Sequence, residues 1–212
     1  MLKIFKIGGG IIDNSDELHH FLQLLAQEKN PKILVHGGGK GANRLLEQLG
    51  IEPKMINGRR ITDQETLDVE IDYGFVGDLN EESVNQKTIK SLLDLGLTPV
   101  FCAITHDKNG QLFNTNADTI ASQIAIAMSK FYEVELNFCF DKIGVLEDIN
   151  KDETLIPKID QTHYQSLKSE NKIFEGMIPK LDNAFEVINA GVKQVNLVHA
   201  KNINSDLKTV IC

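Results

Sequence analysis

The sequence has few cysteines, and nothing in their arrangement would tie them together. Cys102, Cys139 and Cys212 are odd in number and widely spaced. No CxxC pair and no Cys/His cluster with metal-ligand spacing occurs, so the sequence predicts neither a disulfide framework nor a structural zinc site. Cys102 and Cys139 lie inside apolar runs, which is typical of small buried thiols.

Long apolar runs and an excess of basic residues are also absent. No stretch approaches the roughly 20 apolar residues that span a bilayer, and residues 2–7 are too short and too charged for a signal peptide. The chain has 22 Lys and Arg against 30 Asp and Glu, a formal charge of -8, whereas binding a nucleic-acid backbone requires a basic surface. We therefore expect a cytoplasmic protein that binds neither membrane nor nucleic acid.

Hydrophobic patterning predicts a single α/β domain over residues 1–212. Short apolar runs alternate with helical repeats of apolar residues, which favours a largely parallel sheet flanked by helices. The run 99–104 is nearly all apolar, as expected of a strand buried on both faces. Ser15 and Asn116 are candidate helix N-caps. The predicted strands are 2–7, 32–35, 99–104, 133–140 and 194–198, and the predicted helices lie near 16–25, 42–49, 89–93, 117–128 and 181–188.

Two glycine clusters, at residues 8–10 and 37–39, end the first two predicted strands. Glycine lets the backbone approach a ligand closely, and amides at a helix start can bind anions; two ordinary tight turns are the alternative. Neither cluster is a Walker A loop or a GxGxxG fingerprint. Lys6 favours an anion site, because a lysine inside an apolar strand must reach water or an anion, although it could simply extend to the surface.

Five short motifs then follow one another in a family order. They are Lys6–Gly9, Val35–Gly39, Asn57–Asp63, Asn114–Asp118 and Gly176–Lys180. Together they make nearly the whole chain resemble the N-acetylglutamate kinases of the amino-acid kinase family. The resemblance implies an open three-layer αβα sandwich on a largely parallel sheet. It also implies two lobes, an N-terminal substrate and phosphate lobe over about 1–115 and a C-terminal nucleotide lobe over about 116–212.

The resemblance also implies roles for individual residues. Lys6 and Lys180 would stabilise the transferring phosphoryl group, and Asp118 would hold both lysines in place. Mg²⁺ would be held mainly by the phosphates of ATP, so no protein metal ligand is assigned. The residues expected to bind the acylated amino acid are Gly38, Gly39, Arg60 and Asn114. The residues expected to bind ATP are Gly8, Gly9, Asp141, Lys142, Gly144, Leu146, Lys172 and Phe174.

These residue types suit the transfer of phosphate to a carboxylate. A glutamate side chain is already ionised at pH 7, so the reaction needs no general base. Positioning and positive charge are what phosphoryl transfer requires. Arg60 offers a planar fork for a carboxylate, and Asn114 can both donate to and accept from an amide. The expected activity is ATP-dependent phosphorylation of N-acetyl-L-glutamate, or another N-acylglutamate, to the acyl phosphate in arginine biosynthesis.

Other interpretations remain open. Arg59 and Arg60 could be a solvated surface pair, and Asp118 could serve only the dipole of the helix that follows. Carbamate kinase, aspartokinase, glutamate 5-kinase and UMP kinase share the glycine and lysine chemistry. A catalytically silent binding module is disfavoured because both Lys6 and Lys180 are kept. The acyl group, whether acetyl, succinyl or larger, is not determined.

The sequence departs from the family pattern in two places. Residues 139–142 read Cys-Phe-Asp-Lys where many relatives have Ser-Asp-Val or Thr-Asp-Val, and Lys142 could add a phosphate or adenine contact. Residues 72–78 follow residues 62–69 without the helix, strand and glycine loop that the family places between them. We therefore expect a missing segment between 67 and 73, over which the numbering runs; a natural deletion is the alternative.

The family resemblance also bears on assembly. Arginine-sensitive relatives carry an extra N-terminal helix that links dimers into hexamers, whereas the first predicted strand here begins at about Leu2. We therefore expect a homodimer that arginine does not inhibit.

Overall fold

A computed structural model describes residues 1–38, 55–56, 59–60, 76–148, 150–170, 172–173 and 177–212. For residues 55, 56, 59, 60 and 81 it describes the backbone alone. The helix predicted near 42–49 and the join predicted between 67 and 73 lie outside these ranges, as do Gly39 and Phe174.

A seven-stranded sheet forms the centre of the molecule, in the order β10-β12-β11-β9-β1-β2-β6. The five strands from β11 to β6 are parallel, β12 is antiparallel to β11, and β10 runs parallel to β12. The predicted largely parallel sheet is therefore confirmed. The strands are β1 (Leu2–Ile7), β2 (Lys32–His36), β3 (Met55–Ile56), β4 (Arg59–Arg60), β5 (Val76–Gly77), β6 (Val100–Phe101), β7 (Ile104–His106), β8 (Leu112–Thr115), β9 (Val134–Phe140), β10 (Lys158–Ile159), β11 (Gln194–His199) and β12 (Lys208–Ile211).

Helices cover both faces of this sheet, which confirms the three-layer αβα sandwich. Strands β3 and β4 form a separate pair, and β5, β8 and β7 form a third, three-stranded sheet. The α-helices are α1 (Gly9–Asp13), α2 (Ser15–Gln27), α3 (Gln86–Asp94), α4 (Ala117–Ser129), α5 (Gln161–Ser169) and α6 (Ile178–Asn189). Single 3-10 turns cover Glu81–Ser83, Asp152–Thr154 and Ala200–Asn202.

Successive side chains of β1 pack on opposite faces of the main sheet. Leu2 and Ile4 pack into the larger apolar cluster, with α3, α4, α5 and α6. Phe5 and Ile7 pack into the smaller cluster, with α1 and α2. Because successive side chains of a strand point to opposite faces, Lys6 lies on the face of Leu2 and Ile4, towards α4 and α6.

Three local predictions are wrong, each because of a neighbour in space or sequence. Ser15 is already helical in α2, and Asn14 caps the helix by accepting from the amides of residues 16 and 17 at 3.2 Å. The run 99–104 divides into β6 and β7, with Val100 59% and Ile104 56% exposed, because β6 is the last strand of the main sheet and β7 belongs to another. Cys102, between these two strands, is exposed, whereas Cys139 is buried as predicted.

Glu28 ties the end of α2 to β1, and this contact gives a testable pH dependence. Its carboxylate lies 2.5 Å from the Lys3 ammonium and accepts from the Asn30 amide at 2.9 Å. Burial alone raises the pKa of Glu28, but hydrogen bonds from Lys3 and Asn30 outweigh it and hold the pKa at about 2, below the ordinary 4.5. A depressed folded-state pKa adds stability above pH 4.5 that is lost as pH falls through about 2.

We expect Glu28→Gln to lower the free energy of unfolding by about 1 to 3 kcal/mol at pH 7. The difference from the unsubstituted protein should shrink as the pH falls from 4.5 towards 2, as measured by urea unfolding at several pH values. Glu133→Gln is the matched control, since its ion pair with Lys193 is largely exposed and such pairs contribute little. Equal losses in both variants would contradict the assignment.

Candidate active site

A cavity opens at the carboxyl edge of the main sheet, beyond the ends of the neighbouring parallel strands β1 and β9. Open α/β sheets bind ligands at this edge. The cavity volume of about 570 Å³ is within the range of small-molecule sites. Its polar lining includes Lys6, Gly8, Asn114, Asp118, Lys180 and Asn183. The structure thus brings together all three predicted catalytic residues.

Lys6 and Asp118 form the ion pair at the base of this cavity. Lys6 comes from β1 and Asp118 from the first turn of α4, and their Nζ and Oδ1 atoms lie 2.7 Å apart. The start of α4 is fixed by Asn116, which caps the helix as predicted by accepting from the Asp118 amide at 2.7 Å. The helix dipole favours a carboxylate at this position, so Asp118 serves both the helix and the lysine.

Lys180 lies in the first turn of α6, and its Nζ stands 4.6 Å from the centre of the Phe140 ring. No carboxylate of the described residues comes within ion-pair distance of it. Burial lowers the pKa of Lys180 below the ordinary lysine value, the Asp118 carboxylate opposes the shift, and the Lys6 ammonium adds to it. Among the described lining residues, two ammonium groups and one carboxylate give a net positive charge, which suits an anionic ligand.

The predicted substrate-binding residues are only partly placed. Asn114 lies on β8 of the three-stranded sheet and lines the cavity, and Thr115 beside it shares a 2.6 Å hydrogen bond with Thr105. Gly38 follows β2 and is exposed, while its neighbour Gly37 lines the cavity. Arg60 has its backbone in β4, its side chain is outside the described atoms, and Gly39 is outside the described residues.

The predicted nucleotide-binding residues that the structure describes do not all converge on the cavity. Gly8 lines it, and Gly9 begins α1 directly beyond. Asp141 and Lys142 follow β9 at the same edge of the sheet, but Gly144 and Leu146 are buried in the protein. Lys172 is exposed and pairs with Glu170 at 2.6 Å. Phe174 lies outside the described residues.

The loop after β9 is held from behind by Thr209 of β12. The Thr209 hydroxyl accepts from the Val145 amide at 2.8 Å and donates to the Ile156 carbonyl at 2.6 Å. A Cβ at Gly144 would stand 2.5 Å from the same hydroxyl oxygen and 2.6 Å from Leu155 Cδ1. Glycine is therefore required at 144 by this close approach, and the position supports the loop from within.

We expect Thr209→Val to lower the free energy of unfolding by about 1 to 3 kcal/mol, because the buried Val145 amide loses its acceptor. Urea unfolding measures the loss. Thr162→Val, at an exposed position of α5, should change stability by less than about 0.5 kcal/mol. A Thr209→Val protein as stable as this control would show that the hydroxyl does not anchor the loop.

Sequence reasoning missed the contributions of Phe140 and Asn183. Phe140 is the last residue of β9 and lies beneath the Lys180 ammonium. Asn183 is one helical turn beyond Lys180, a spacing that puts both side chains on one face of α6. That spacing was present in the sequence, but only the packing of α6 against α4 shows which face meets the cavity.

The position of this cavity at the carboxyl edge of a parallel sheet, its volume and its positive charge are typical of an enzyme that acts on small anionic substrates. The model of the amino acid kinase family matches residues 1–82 and 71–199, and the chain belongs to that family. Acetylglutamate kinase of Parabacteroides distasonis is 42% identical over 246 residues, covering 96% of each chain. Acetylglutamate kinase of Bacteroides fragilis is 40% identical over 248 residues, covering 97% of this chain and 94% of that enzyme.

Solved structures agree with this fold. The protein smu.665 from Streptococcus mutans UA159 has a TM-score of 0.74 at 24% identity and covers 99% of this chain and 98% of its own. N-acetylglutamate synthase from Neisseria gonorrhoeae, complexed with coenzyme A and L-arginine, has a TM-score of 0.79 at 16% identity over 100% of this chain and 61% of its own. At such identities the likeness concerns the fold.

The described residues contain neither a cluster of metal-binding side chains nor a membrane-spanning helix. No group of three or more His, Cys, Asp or Glu side chains in these ranges is arranged to hold a metal ion. None of the helices that the structure describes is long and apolar enough to cross a membrane.

Proposed function

We propose that this enzyme transfers the γ-phosphoryl group of ATP to the side-chain carboxylate of N-acetyl-L-glutamate, an early step of arginine biosynthesis. The observation that carries the proposal is the convergence of Lys6, Lys180 and Asp118 on one cavity. Identity near 40% with acetylglutamate kinases over almost the whole chain supports it. The free cysteines and the biosynthetic role are consistent with a cytoplasmic location.

The reaction needs positioning and charge rather than a proton acceptor. An oxygen of the ionised substrate carboxylate attacks the γ-phosphorus, the bond from that phosphorus to the β,γ-bridging oxygen breaks, and ADP leaves with the bonding pair. The products are an acyl phosphate and ADP, and no proton is exchanged. Because charge spreads over the transferring group in a loose transition state, Lys6 and Lys180 at the cavity wall would stabilise it.

Asp118 would set the position of Lys6 through their 2.7 Å contact and favour the protonated form of Lys180 by its charge. Binding of a triphosphate would raise the lowered pKa of Lys180 again, since an anion favours the ammonium form. Phe140 would hold that ammonium over its ring while leaving its N–H groups free to reach the ligand.

The remaining binding roles are proposed by motif position. Asn114 on the cavity wall would meet the acetylated amino group, and Arg60 would bind the α-carboxylate, with Gly38 and Gly39 supplying backbone donors. Gly8 and Gly9 would donate to the phosphates of ATP. The segment Asp141–Leu146, with Lys172 and Phe174, would border the nucleotide, and the two lobes would meet near residue 115.

Mg²⁺ would arrive on the phosphates of ATP and neutralise part of their charge. The polar residues described in the cavity fit this arrangement, because its single carboxylate, Asp118, is already engaged by Lys6. A protein-held metal site would require further carboxylates there.

Coupled ADP release tests the proposed activity, with N-acetylglutamate, N-succinylglutamate and free glutamate assayed in parallel. We expect turnover with an N-acylglutamate, accumulation of an acyl phosphate that hydroxylamine traps as a hydroxamate, and little turnover with free glutamate. ADP release that does not depend on an acylglutamate, or that carbamate or UMP supports instead, would overturn the assignment. ATP binding without turnover on any acceptor would favour a silent binding module.

We also propose that a family segment belongs between residues 67 and 73 and that the numbering runs over it; a natural deletion is the alternative. Alignments to the Parabacteroides distasonis and Bacteroides fragilis enzymes run over 246 and 248 residues, longer than the 212 of this chain. The family model matches in two stretches that overlap at 71–82. Val100, Ile104 and Leu112, on β6, β7 and β8, are exposed. This exposure supports the proposal, because the family segment would supply a strand and a helix to cover such apolar side chains. The intact mass decides between the two explanations: 23.6 kDa fits a deletion, and a larger mass fits numbering across a gap.

Assembly as a homodimer insensitive to arginine is proposed from the resemblance. Sedimentation equilibrium should give twice the monomer mass, and added arginine should leave turnover unchanged. A hexamer, or strong inhibition by arginine, would contradict this part of the proposal.

A further inference from the structure

Asn183 is a cavity residue that the family motifs leave without a role. It lies on α6 one turn beyond Lys180, and its Oδ1 accepts a hydrogen bond from the Ser122 hydroxyl at 3.1 Å. Ser122 is buried and lies one turn beyond Asp118 on α4. Asp118 and Ser122 therefore lie on one face of α4, and Lys180 and Asn183 lie on one face of α6. These two faces meet where the helices pack together.

The contact with Ser122 fixes which way the Asn183 amide faces. A primary amide has one acceptor oxygen and two N–H donors, and here the oxygen is occupied by the hydroxyl. The Nδ2 group of Asn183 has no hydrogen-bond partner among the described residues, although the side chain lines the cavity and is only partly exposed. An oriented donor is thus presented at a wall that already holds the Lys6 and Lys180 ammonium groups.

We propose that Asn183 donates an N–H hydrogen bond to the phosphate-bearing ligand of this cavity, and that Ser122 is the positioning residue that orients its amide. This inference rests on the proposed function for the identity of the ligand as ATP. A neutral donor adds a directed contact beside the two lysines without a third positive charge. Such a charge would lower the pKa of Lys180 further, because like charges disfavour the ammonium form.

Asn183→Asp should have the largest effect, because it keeps the size of the side chain and an oxygen to accept from Ser122 but brings a negative charge into the cavity. If Asn183 only joined α4 to α6, Asn183→Ala and Ser122→Ala would lower ATP affinity equally, since both break the same contact. If it donates to the ligand, a carboxylate oxygen replaces the donor and faces a phosphate. We then expect ATP binding and kcat/KM to fall at least about 100-fold, since like charges in contact cost several kcal/mol.

Three further variants complete the test. Asn183→Ala removes the donor without adding charge and should lower kcat/KM about tenfold or more. Ser122→Ala leaves the donor in place but less oriented and should cost about two- to fivefold. Asn189→Asp is the matched control, because it makes the same chemical change at an exposed position at the far end of α6, and it should change neither quantity.

ATP affinity is measured by calorimetry and kcat/KM by ADP release, with thermal unfolding of every variant as the check on folding. If Asn183→Asp is too unstable to assay, Asn183→Ala against Ser122→Ala decides: a smaller effect on ATP affinity at Ser122 supports the donor, and equal effects refute it. If Asn183→Asp bound ATP as well as Asn189→Asp does, the inference would be overturned.

ATP binding without turnover in the unsubstituted protein would overturn the proposed function alone, and the affinities would still decide the role of Asn183. No ATP binding would overturn both.

Discussion

Replacing Lys180 by methionine should lower kcat by about 1000-fold or more while changing the KM for ATP only several-fold. Methionine keeps most of the length of the side chain, but it removes the ammonium that lies over Phe140 and would stabilise charge on the transferring phosphoryl group. A loss concentrated in kcat is the mark of an interaction made mainly in the transition state. Lys6→Met should behave alike, with an added effect on Asp118, which loses its 2.7 Å partner.

Lys193→Met is the control for this series, because Lys193 is exposed and pairs with Glu133 outside the cavity. Steady-state ADP release with ATP and N-acetylglutamate gives both constants. Normal turnover by Lys180→Met would show that Lys180 takes no part in the reaction. A rise in KM with unchanged kcat would instead assign it to ground-state binding.

The second large effect is expected at Asp118. Asp118→Asn keeps the shape of the side chain but removes the negative charge that pairs with Lys6 and favours the ammonium form of Lys180, so we expect kcat near neutral pH to fall about 100-fold. The alkaline limit of activity should also move. In the proposed mechanism Lys180 acts in its protonated form, so activity should fall as pH rises through its pKa, which burial already holds below 10.5. Because the Asp118 carboxylate opposes that lowering, its loss should move the limit to lower pH.

Asp182→Asn separates this charge effect from a structural one. Asp182 is two residues from Lys180 on the same helix, accepts from the Tyr164 hydroxyl at 2.6 Å and approaches Lys168 at 3.6 Å. We expect it to cost stability while leaving the alkaline limit where it is. The measurement is kcat against pH for the three proteins, and an unmoved limit in Asp118→Asn would refute the coupling between Asp118 and Lys180.

Strong local patterns were enough to predict the elements that position the site. The apolar alternation of β1 and the long apolar stripe of α4 both come from residues close together in sequence, and the observed bounds differ from the predicted ones by a residue or so. The glycines after β1 likewise mark the end of a strand by their own backbone freedom. Lys6 could be identified for the same local reason, as a charge inside an apolar strand.

Predictions failed where the outcome depends on distant neighbours. The apolar run 99–104 does not reveal that β6 ends the sheet, so the exposure of Val100 could not be anticipated. The antiparallel addition of β12 depends on packing beyond β11. The Ser122–Asn183 contact joins residues 61 positions apart and exists only once α4 and α6 have docked. Short elements such as β10 have too few residues to show a period.

Because β1 lies between β2 and β9 in the sheet, it cannot complete its pairing until most of the chain has been synthesised. On one side Lys3 pairs with Lys32, but on the other Leu2 pairs with Val134. At a synthesis rate of about 5 to 20 residues per second, the first strand waits on the order of 10 seconds for β9 to leave the ribosome. Until then its open edge can pair with other chains. Cutting the chain near residue 115 should therefore give two fragments that aggregate alone and recover a folded sheet only when mixed.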